Sequence, residues 1–587
     1  MALFPDPAVA HAQDSLPDAA ATLRAYSAVE AFVRGTSPAV DPKGLPAVHG
    51  CSVVLRLAGV VVGRGSSIGG PGAAAGTDWI VAAAGAAMAE AEGRMPATGT
   101  GAAVVKEMRQ GLLISLELNG PLMRVNAKVY ADFDAALQPG VDGLLAVMEG
   151  KVGAVFPGAA AAGNVLPSQC AQRAVAMAAT AARGDAGGGS TVSLTEPAEL
   201  EKKHGVTLYR FRTTHVAQWR ADKGPELLYR GQKLVVQGDV DRLDELWHMA
   251  DRLAGNLVNR TTVKPPAGTV TLWTGDSQEP DGQSAALARH ALMEYFRSYS
   301  TPERWRDMGD DAVRAVLDRT RDAADRYLLL AREDLDGLDP SAQLAACALL
   351  VRNADAKSPP EEHTLQRSFT DGVLNADVQP GLRGLAVWGN GEWPGAAAGG
   401  AAEHPMERAV RKVMAETPVA SLPAEMPWLG WIDLSVDAHL RRAPGQKSAA
   451  ALREMRTLLW KHQLQAVDAG PDAQDLVGGI VVPGGGPPLP TWQTARLVAF
   501  LATMLGEPEL TTPKERPGEI VRLLAAARFL RQLQVDDTLG WMCNDAALVK
   551  GGIRNATWDQ RTQTDATAMA LLAVLETIKG IEKASAK

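Results

Sequence analysis

One pattern occurs twice in the last third of the chain and limits the folds that this region can adopt. Each copy is a helical segment ending in Gln, a long loop with a Gly-Gly pair, and a second helix opening with Gln-Thr. The two copies comprise Gln463, Gly478-Gly479 and Gln493-Thr494, then Gln534, Gly551-Gly552 and Gln563-Thr564. A single helical hairpin cannot bury its own apolar faces, so such units stack on neighbours. We expect a third, less regular copy around Trp388, Trp393, Trp428 and Trp431.

Apolar periodicity indicates that the whole second half is helical. Residues at three- and four-residue spacing, such as Val313, Val316 and Leu317, mark one buried face of a helix. The predicted helices are 285–298, 310–332, 341–353, 406–415, 448–465, 491–505, 519–533 and 562–578.

The first half shows a mixed pattern of strands and helices. Short alternating or β-branched runs predict strands at 51–62, 112–118, 122–129, 206–212 and 231–238, and a hairpin at 143–155. Helices are predicted at 19–33, 79–92 and 171–183. The fold class is therefore multidomain, with an α+β domain followed by an all-α domain. The predicted divisions are a helical extension (1–44), the α+β domain (45–255), a linker (256–283) and the helical domain (284–587).

Composition excludes several classes of protein. A chain of 587 residues is long enough for two or three domains. The net charge of −8 and the lack of a basic cluster argue against nucleic acid as a partner. No run of about 18 apolar residues occurs, so we expect no membrane span. The four cysteines lie far apart, and we expect no disulfide framework, no metal site and no cofactor.

The N-terminus bears on the compartment. Residues 1–13 end in small residues, as a signal peptide does, but they lack a basic start and an apolar core. We therefore expect a cytoplasmic protein. Export is the alternative, if the true start lies upstream and the chain has lost part of a signal peptide.

The segment Gly63–Gly70 (GRGSSIGG) is rich in glycine and follows a predicted strand. Its spacing matches neither the phosphate-binding loop nor the dinucleotide fingerprint. We predict a tight structural turn, with an anion held by backbone N–H groups and Arg64 as the functional alternative. Ser66 or Ser67 would need an adjacent base to act as a nucleophile. Arg64, Ser66 and Ser67 are candidate ligand-binding residues.

Residues of about 45–220 resemble the AMMECR1 domain, an α+β domain whose signature is an Arg-Gly-Cys-Ile-Gly turn after a strand. The segments that carry the likeness are Val53–Leu57, Gly63–Gly69, Leu113–Leu118, Gln138–Leu144 and Leu166-Pro167. The cysteine of the signature is missing, and Ser66 or Ser67 stands in its place with one residue inserted. The resemblance therefore implies the fold but no thiol-based activity.

Residues of about 284–587 resemble the α/α-toroid group, which includes terpenoid cyclases, prenyltransferase β-subunits and polysaccharide-active enzymes. The segments that carry this likeness are Arg528–Gln534, Gly540-Trp541, Gly551–Arg554 and Thr564–Ala568. Asp536-Asp537 resembles part of a cyclase acid motif, but Gln534 replaces its first Asp, so we interpret it as loop chemistry. Asp475, Cys543 and His462 do not follow the order of the prenyltransferase zinc ligands.

A carbohydrate-active toroid would need paired carboxylates and aromatic platforms across a cleft. Asp475 and Asp565 are the candidate catalytic residues, because both precede or begin predicted inner helices, where the helix dipole stabilises a carboxylate. The candidate aromatic ligand-binding residues are Trp492, Trp541 and Trp558.

Because no complete catalytic set is present, the function predicted first is binding. The concave mouth of the toroid would hold a small molecule, glycan or lipid, and the first domain would supply a second site or a partner contact. A polysaccharide lyase or hydrolase with its site in the toroid is the alternative. A terpenoid cyclase is the third reading, and the scarcity of Phe and Tyr in the second half counts against its aromatic cavity.

Overall fold

The computed structural model describes residues 16–94, 102–183, 192, 195–299, 310–338, 340–352, 385, 388, 412, 415–431, 434, 447–467, 469–482 and 489–586. As predicted, a sheet-rich N-terminal region is followed by a helical C-terminal region. We call residues 16–239 the sheet region and residues 240–586 the helical region. Residues 1–13 and Trp393 lie outside the described residues, as does the predicted helix 406–415 apart from Lys412 and Ala415.

One antiparallel sheet of eight strands organises the sheet region. The strands are β1 (Gly50–Leu57), β2 (Val60–Ile68), β3 (Leu113–Asn119), β4 (Met123–Arg124), β5 (Asp142–Met148), β6 (Lys151–Val155), β7 (Thr207–Ala217) and β8 (Glu226–Leu228). Their order is β2-β1-β3-β7-β5-β6, and β4 and β8 both pair with β7. The sheet curls until its two edges approach, because a Cβ on Gly70, just after β2, would lie 3.5 Å from the Val152 side chain of β6.

Helices surround this sheet. They are α1 (Ala19–Val33), α2 (Asp78–Arg94), α3 (Ala102–Gly111), α4 (Ala131–Ala136), α5 (Pro157–Ala162), α6 (Pro167–Arg183) and α7 (Pro197–His204). Helices α2 and α6 cover the outer, convex side of the sheet. Gly63 and Gly65 let β2 approach α2 closely, since a Cβ on either would overlap the backbone of Ala87 or Ala83. Gly153 has the same role between β6 and α6.

The glycine-rich segment 63–70 is therefore mostly strand, and the prediction of a turn there is wrong. The turn lies earlier, at Ala58 and Gly59, whose φ angles of 48° and 84° suit a two-residue hairpin loop. A cradle of backbone N–H groups for an anion is also not formed, because the Arg64 N–H donates to the Glu90 carboxylate at 2.7 Å. Gly63 and Gly65 instead allow α2 to pack closely against β2.

Two other predicted strands differ from the structure. The strand predicted at 122–129 is reduced to Met123–Arg124. The segment 231–238 is not a strand, because side chains of the helical region take the backbone bonds that a ladder would need. Gln532 accepts the Val235 N–H at 2.7 Å, and Arg528 donates to the Val235 carbonyl at 2.7 Å.

The structure gives the bounds of nine helices in the helical region. They are α8 (Leu243–Arg260), α9 (Gly282–Tyr299), α10 (Asp310–Glu333), α11 (Pro340–Arg352), α12 (Lys447–Lys461), α13 (Thr494–Leu505), α14 (Arg516–Leu533), α15 (Ala546–Val549) and α16 (Thr564–Ser585). Short 3-10 helices occur at Leu335–Gly337, Val419–Glu425, Pro471–Leu476 and Asp537–Trp541.

Helices α11, α9, α16 and α13 pack side by side in that order, and we call them the inner helices. Helix α16 is buried on nearly every side, which is expected of a helix surrounded by others. In this order α16 lies between α13 and α9, and α9 comes early in the sequence of the helical region. The last described helix of the sequence thus packs against the first helices of the helical region.

The predicted repeat is present as two loops with the same hydrogen bonds. Gln463 donates to the Gly478 carbonyl and Gln534 to the Gly551 carbonyl, each at 3.1 Å. The glycines have φ angles of 86° and 85°. The structure matches Thr494 with Thr567 rather than with the predicted Thr564, because these two hydroxyls accept the equivalent amides of Ile480 and Ile553, each at 3.1 Å.

The boundary predicted between residues 255 and 256 falls inside α8. The apolar face of α8 belongs to the core of the helical region. The predicted linker also contains two strands of a small sheet, β9 (Thr269–Thr271) and β10 (Ser277–Gln278), and β9 pairs with β11 (Arg561–Thr562) just before α16. Arg260, fully buried, donates to the Thr562 hydroxyl at 2.7 Å and fixes this junction.

Among the residues that the structure describes, every helix is too short or too polar to span a lipid bilayer.

Candidate functional site

The inner helices surround a cavity of about 300 Å³, which we call the helical cavity. Its wall is apolar and buried, and it is formed by Leu287, Leu349, Leu385, Trp428 and Met569. Its rim is polar and open to solvent, and it is formed by Asp281, Gln283, Ser284, Trp492, Arg496 and Asp565. The rim is polar because α9, α13 and α16 all begin there, and helix starts favour polar and acidic residues.

Two carboxylates belong to this rim. The Asp281 carboxylate accepts the Ser284 N–H at 2.7 Å and so caps the start of α9. Asp565 lies in the first turn of α16. Burial raises the pKa of Asp565, and the negative charge of Asp281 raises it further, while Arg260 opposes the shift. The negative charge of Asp281 at the cavity mouth thus favours the protonated form of Asp565.

A fixed cation completes the rim. The Arg496 guanidinium donates to the Ala424 carbonyl at 2.8 Å and to the Met426 carbonyl at 3.3 Å. Burial lowers the pKa of Arg496, and the carboxylates of Glu425 and Asp565 counteract that shift. The rim therefore offers both hydrogen-bond donors and acceptors in fixed positions.

Aromatic rings close the cavity from behind. The Trp428 ring, which forms part of the wall, lies 4.9 Å from the Trp388 ring and 5.3 Å from the Trp431 ring, between centroids. His290 of α9 contacts Trp388 at 5.0 Å, edge to face. This aromatic cluster therefore backs the Trp428 side of the cavity wall.

A second cavity, of about 410 Å³, lies between the concave face of the sheet and the helical region. We call it the interface cavity. Arg64, Ser66, Arg173 and Met177 are exposed at its edge, and its buried part includes Ser115, Glu117, Phe156 and Trp541. Because side chains alternate along β2, Arg64 and Ser66 face this cavity, whereas Ser67 faces the opposite side of the sheet.

The predicted site residues thus separate into three groups. Trp492 and Asp565 line the helical cavity, and Arg64, Ser66 and Trp541 line the interface cavity. Residues in neither cavity are Ser67, Asp475 and Trp558. Trp558 is part of the core of the helical region.

Asp475 is not brought together with Asp565. Its carboxylate forms an ion pair with Arg230 of the sheet region, and both side chains are completely buried. Arg528 donates to the Asp475 carbonyl at 3.2 Å and to the Val477 carbonyl at 2.6 Å, which holds the loop in place. Asp475 therefore fastens the first repeat loop to the sheet region, and the carboxylate that faces Asp565 is Asp281.

The acidic pair Asp536-Asp537 has the loop role that the sequence predicts. Asp536 accepts the Thr538 N–H at 3.0 Å and the Thr538 hydroxyl at 2.6 Å, which caps a 3-10 helix. Asp537 pairs with Lys550 at 2.6 Å. Neither residue lines the helical cavity.

Sequence reasoning missed Asp281, Arg496, Glu117 and His215. Asp281 stands three residues before Ser284 at a helix start, a pattern that predicts a cap and could have been noticed. Arg496 and Trp492 lie on either side of the Gln-Thr pair at the start of α13. The repeat could therefore have predicted that the two side chains lie near each other. Glu117 and His215 face each other on β3 and β7, and that pairing depends on a strand order that a single sequence does not reveal.

Within the part of the chain that the structure describes, no group of three or more His, Cys, Asp or Glu side chains is arranged to hold a metal ion.

No protein-family model and no curated protein matches the chain. Among solved structures, the crystal structure of an uncharacterised protein from Pyrococcus horikoshii is similar at 15% identity, and the alignment covers 35% of this chain and 94% of that chain. The TM-score is 0.25, so this likeness carries no conclusion about the fold or the function.

Proposed function

We propose that the protein is a binding protein that holds one sugar unit, or a polyol ring of similar size, in the helical cavity. The observation that carries the proposal is the composition of that cavity. Two indole rings, two carboxylates and one guanidinium meet around about 300 Å³, which is the lower end of the range for small-ligand pockets.

Sugars need the two kinds of surface that this cavity combines. The faces of a sugar ring carry C–H groups that pack on indole rings, and Trp428 and Trp492 supply such rings. The hydroxyl groups need donors and acceptors together, which Arg496, Gln283 and the two acids supply. The closed aromatic cluster behind Trp428 favours a single unit over a polymer.

The architecture supports the same proposal. We infer an α/α-toroid-like helical region, since α8 packs on the second repeat loop as α14 packs on the first. A Cβ on Gly478 would overlap the α14 backbone at Ala525, and a Cβ on Gly551 would overlap the α8 backbone at Arg252. Helix α8 thus has the same position beside the second loop as α14 has beside the first. In a closed ring of helical units, α8 would be the outer helix of the unit next to α16. For the sheet region we propose an AMMECR1-like arrangement, on the motifs given above.

A carbohydrate-active enzyme is the second candidate function, and one specific observation favours it. Asp565 has a raised pKa and faces the negative charge of Asp281. Glycosidases use one carboxyl group kept protonated as the general acid and a second that stays ionised. The helical cavity holds the residue types for both roles.

Binding to the full chain can be measured by isothermal titration calorimetry with glucose, galactose and N-acetylglucosamine. We expect saturable binding of at least one sugar and a loss of tenfold or more in Trp492→Ala, because the ring face loses its platform. Trp219→Ala, which removes a half-buried indole of the sheet region, is the matched control and should bind like the parent. If none of the three sugars binds, or if both variants bind equally, the proposal is wrong.

Turnover separates the two candidates. The 4-nitrophenyl glycosides of the same sugars release a coloured product on hydrolysis. A hydrolase would lose about 100-fold or more of its rate in Asp565→Asn, whereas Asp222→Asn, a change at an exposed acid, would leave the rate intact. A binding protein would release no product in either variant.

A further inference from the structure

The interface cavity is a second built site, independent of the helical cavity. It has contributions from both regions of the chain, because Trp273 and Trp541 of the helical region face the strands β1, β2 and β3. Its volume of about 410 Å³ is within the range for small-molecule sites.

Two arginines, Arg64 and Arg173, line this cavity, and a third, Arg56, is buried beside it. The guanidinium groups of Arg56 and Arg64 both lie over the Trp273 ring, at 4.3 Å and 5.3 Å from its centroid. Arg173, on α6, lines the same cavity. Among the described residues, none of these three guanidinium groups forms an ion pair with a carboxylate. Two cations that share one indole without a counter-ion make a strongly positive site.

The buried Arg56 beside the cavity uses only part of its hydrogen-bonding capacity, since its Nη1 atom donates to the Gly59 carbonyl. The residue is 1% exposed, yet its Nε and Nη2 atoms have no hydrogen-bond partner in the described structure. Burial lowers the pKa of Arg56 to about 10, and the charge of Arg64 contributes to that shift. A buried guanidinium without a counter-charge is unfavourable, and a bound anion nearby would relieve it.

The floor of the cavity is polar but not strongly negative. The Ser115 hydroxyl hydrogen-bonds His215 Nε2 at 2.8 Å, and burial lowers the pKa of His215 to about 3, so the imidazole is neutral. Glu117 accepts the Gly158 N–H at 2.9 Å and the Thr213 hydroxyl at 3.1 Å. Burial raises the pKa of Glu117 to about 7, so near neutral pH this carboxyl group is partly protonated and can donate to a ligand oxygen.

The walls are aromatic. Phe156, Trp273 and Trp541 line the cavity, and the Trp541 ring stacks edge-on against His215 at 4.8 Å between centroids. Planar groups fit such walls, while the arginines select for charge.

We propose that the interface cavity binds a small organic oxyanion, a carboxylate or a phosphate attached to a planar apolar group. The charge lies towards Arg64 and Arg173, the planar part lies between the aromatic rings, and the hydroxyls of Ser52 and Ser66 bind further ligand oxygens. Since the walls come from both regions, the ligand is held only when the two regions are docked together.

Calorimetry on the full chain tests this with benzoate and phenyl phosphate as probes, and phenol as the neutral comparison. We expect one binding site for at least one of the anions and at least tenfold weaker binding in Arg64→Gln and in Arg173→Gln. Arg64→Lys keeps the charge and should recover part of the affinity. Arg220→Gln, which removes an exposed arginine paired with Asp222, should bind like the parent.

Three outcomes would overturn the proposal: neither anion binds, phenol binds as tightly as the anions, or the two arginine variants bind as tightly as the parent with unchanged thermal unfolding midpoints. Asp565→Asn and Trp492→Ala separate this site from the helical cavity. Both should leave anion binding unchanged, and a loss of anion binding in them would assign the probe to the helical cavity and also contradict the proposal.

Discussion

The two repeat loops have the same internal hydrogen bonds but different attachments to the sheet region. In the first loop, Gly478 N–H and carbonyl groups bond Leu464 and Gln463, and in the second, Gly551 bonds Val535 and Gln534 in the same way. The shared hydrogen bonds therefore stabilise the conformation of each loop itself. A long loop must turn at a positive φ while its polar backbone is buried against a helix, which is α14 for the first loop and α8 for the second.

The attachments depend on residues outside that pattern. The first loop is fastened by the ion pair of Asp475 with Arg230. The unit that holds the second loop is fastened by hydrogen bonds to neutral groups of the sheet region. Arg554 donates to the Gln232 side-chain oxygen, and Trp541 donates to the Gly231 carbonyl at 2.8 Å and packs on His215. The repeated residues thus determine the conformation of the loops, whereas the contacts with the sheet region differ between the two copies.

The largest effect should come from the glycines that both copies share. Gly478→Ala and Gly551→Ala each place a Cβ onto a neighbouring backbone carbonyl at a φ near 85°, and we expect a loss of about 4 kcal/mol or more in each. Urea unfolding followed by circular dichroism measures it. Gly470→Ala, where a Cβ would meet nothing within 4 Å, should change stability by less than about 1 kcal/mol.

If one of the two glycines tolerates alanine, the two loops are not equivalent, and the inference that α8 takes the place of α14 fails with it. Equal losses would support the ring arrangement.

A somewhat smaller loss of stability should come from the ion pair that attaches the first loop to the sheet region. Asp475→Asn leaves Arg230 buried without its counter-charge, and we expect a loss of about 3 kcal/mol in unfolding free energy. The double variant Arg230→Met/Asp475→Leu removes both charges and should be less destabilised than Asp475→Asn. Asp222→Asn, at an exposed ion pair, should stay within about 0.5 kcal/mol of the parent. Additive losses in the double variant would show that the pair is not coupled.

The sequence predicts helices better than it predicts sites, for a physical reason. Helix α1 was predicted with its observed bounds, and α9 to α11 within a few residues, because periodicity and caps are local signals. The strand β2 was mistaken for a turn, because Gly63 and Gly65 are there for the close approach of α2, a partner that the segment itself does not encode.

The candidate site residues also divide into those that local sequence signals identify and those that depend on contacts with distant segments. Trp492 could be predicted because loop tryptophans are candidate platforms for a sugar ring, and Asp565 because it stands at a helix start in the repeat. Asp475 was nominated by the same rule, but its side chain points away and pairs with Arg230, which lies 245 residues earlier in the chain. Such long-range pairing follows from the docking of two regions, and nothing in the local pattern signals it.

The smallest effect concerns pH and the attachment at Trp541. The folded pKa of His215 is about 3, below the value of about 6.5 expected in the unfolded chain, so its contribution to stability is present above pH 6.5 and is lost as the pH falls towards 3. Glu117 acts in the opposite direction. Its folded pKa of about 7 exceeds the unfolded value of about 4.3, so its contribution is present below pH 4.3 and is lost as the pH rises to 7.

Between pH 5 and pH 6.5 the two groups therefore oppose each other, and single substitutions should expose each one. The stability of His215→Gln relative to the parent should fall with rising pH, and that of Glu117→Gln should rise with it, each by about 1 kcal/mol per pH unit. Urea unfolding at pH 5.0, 5.5, 6.0 and 6.5 measures both differences. Parallel profiles for His215→Gln and the parent would mean that His215 is hydrated when the chain is folded, and that Trp541 does not seal the second attachment as it does in the structure.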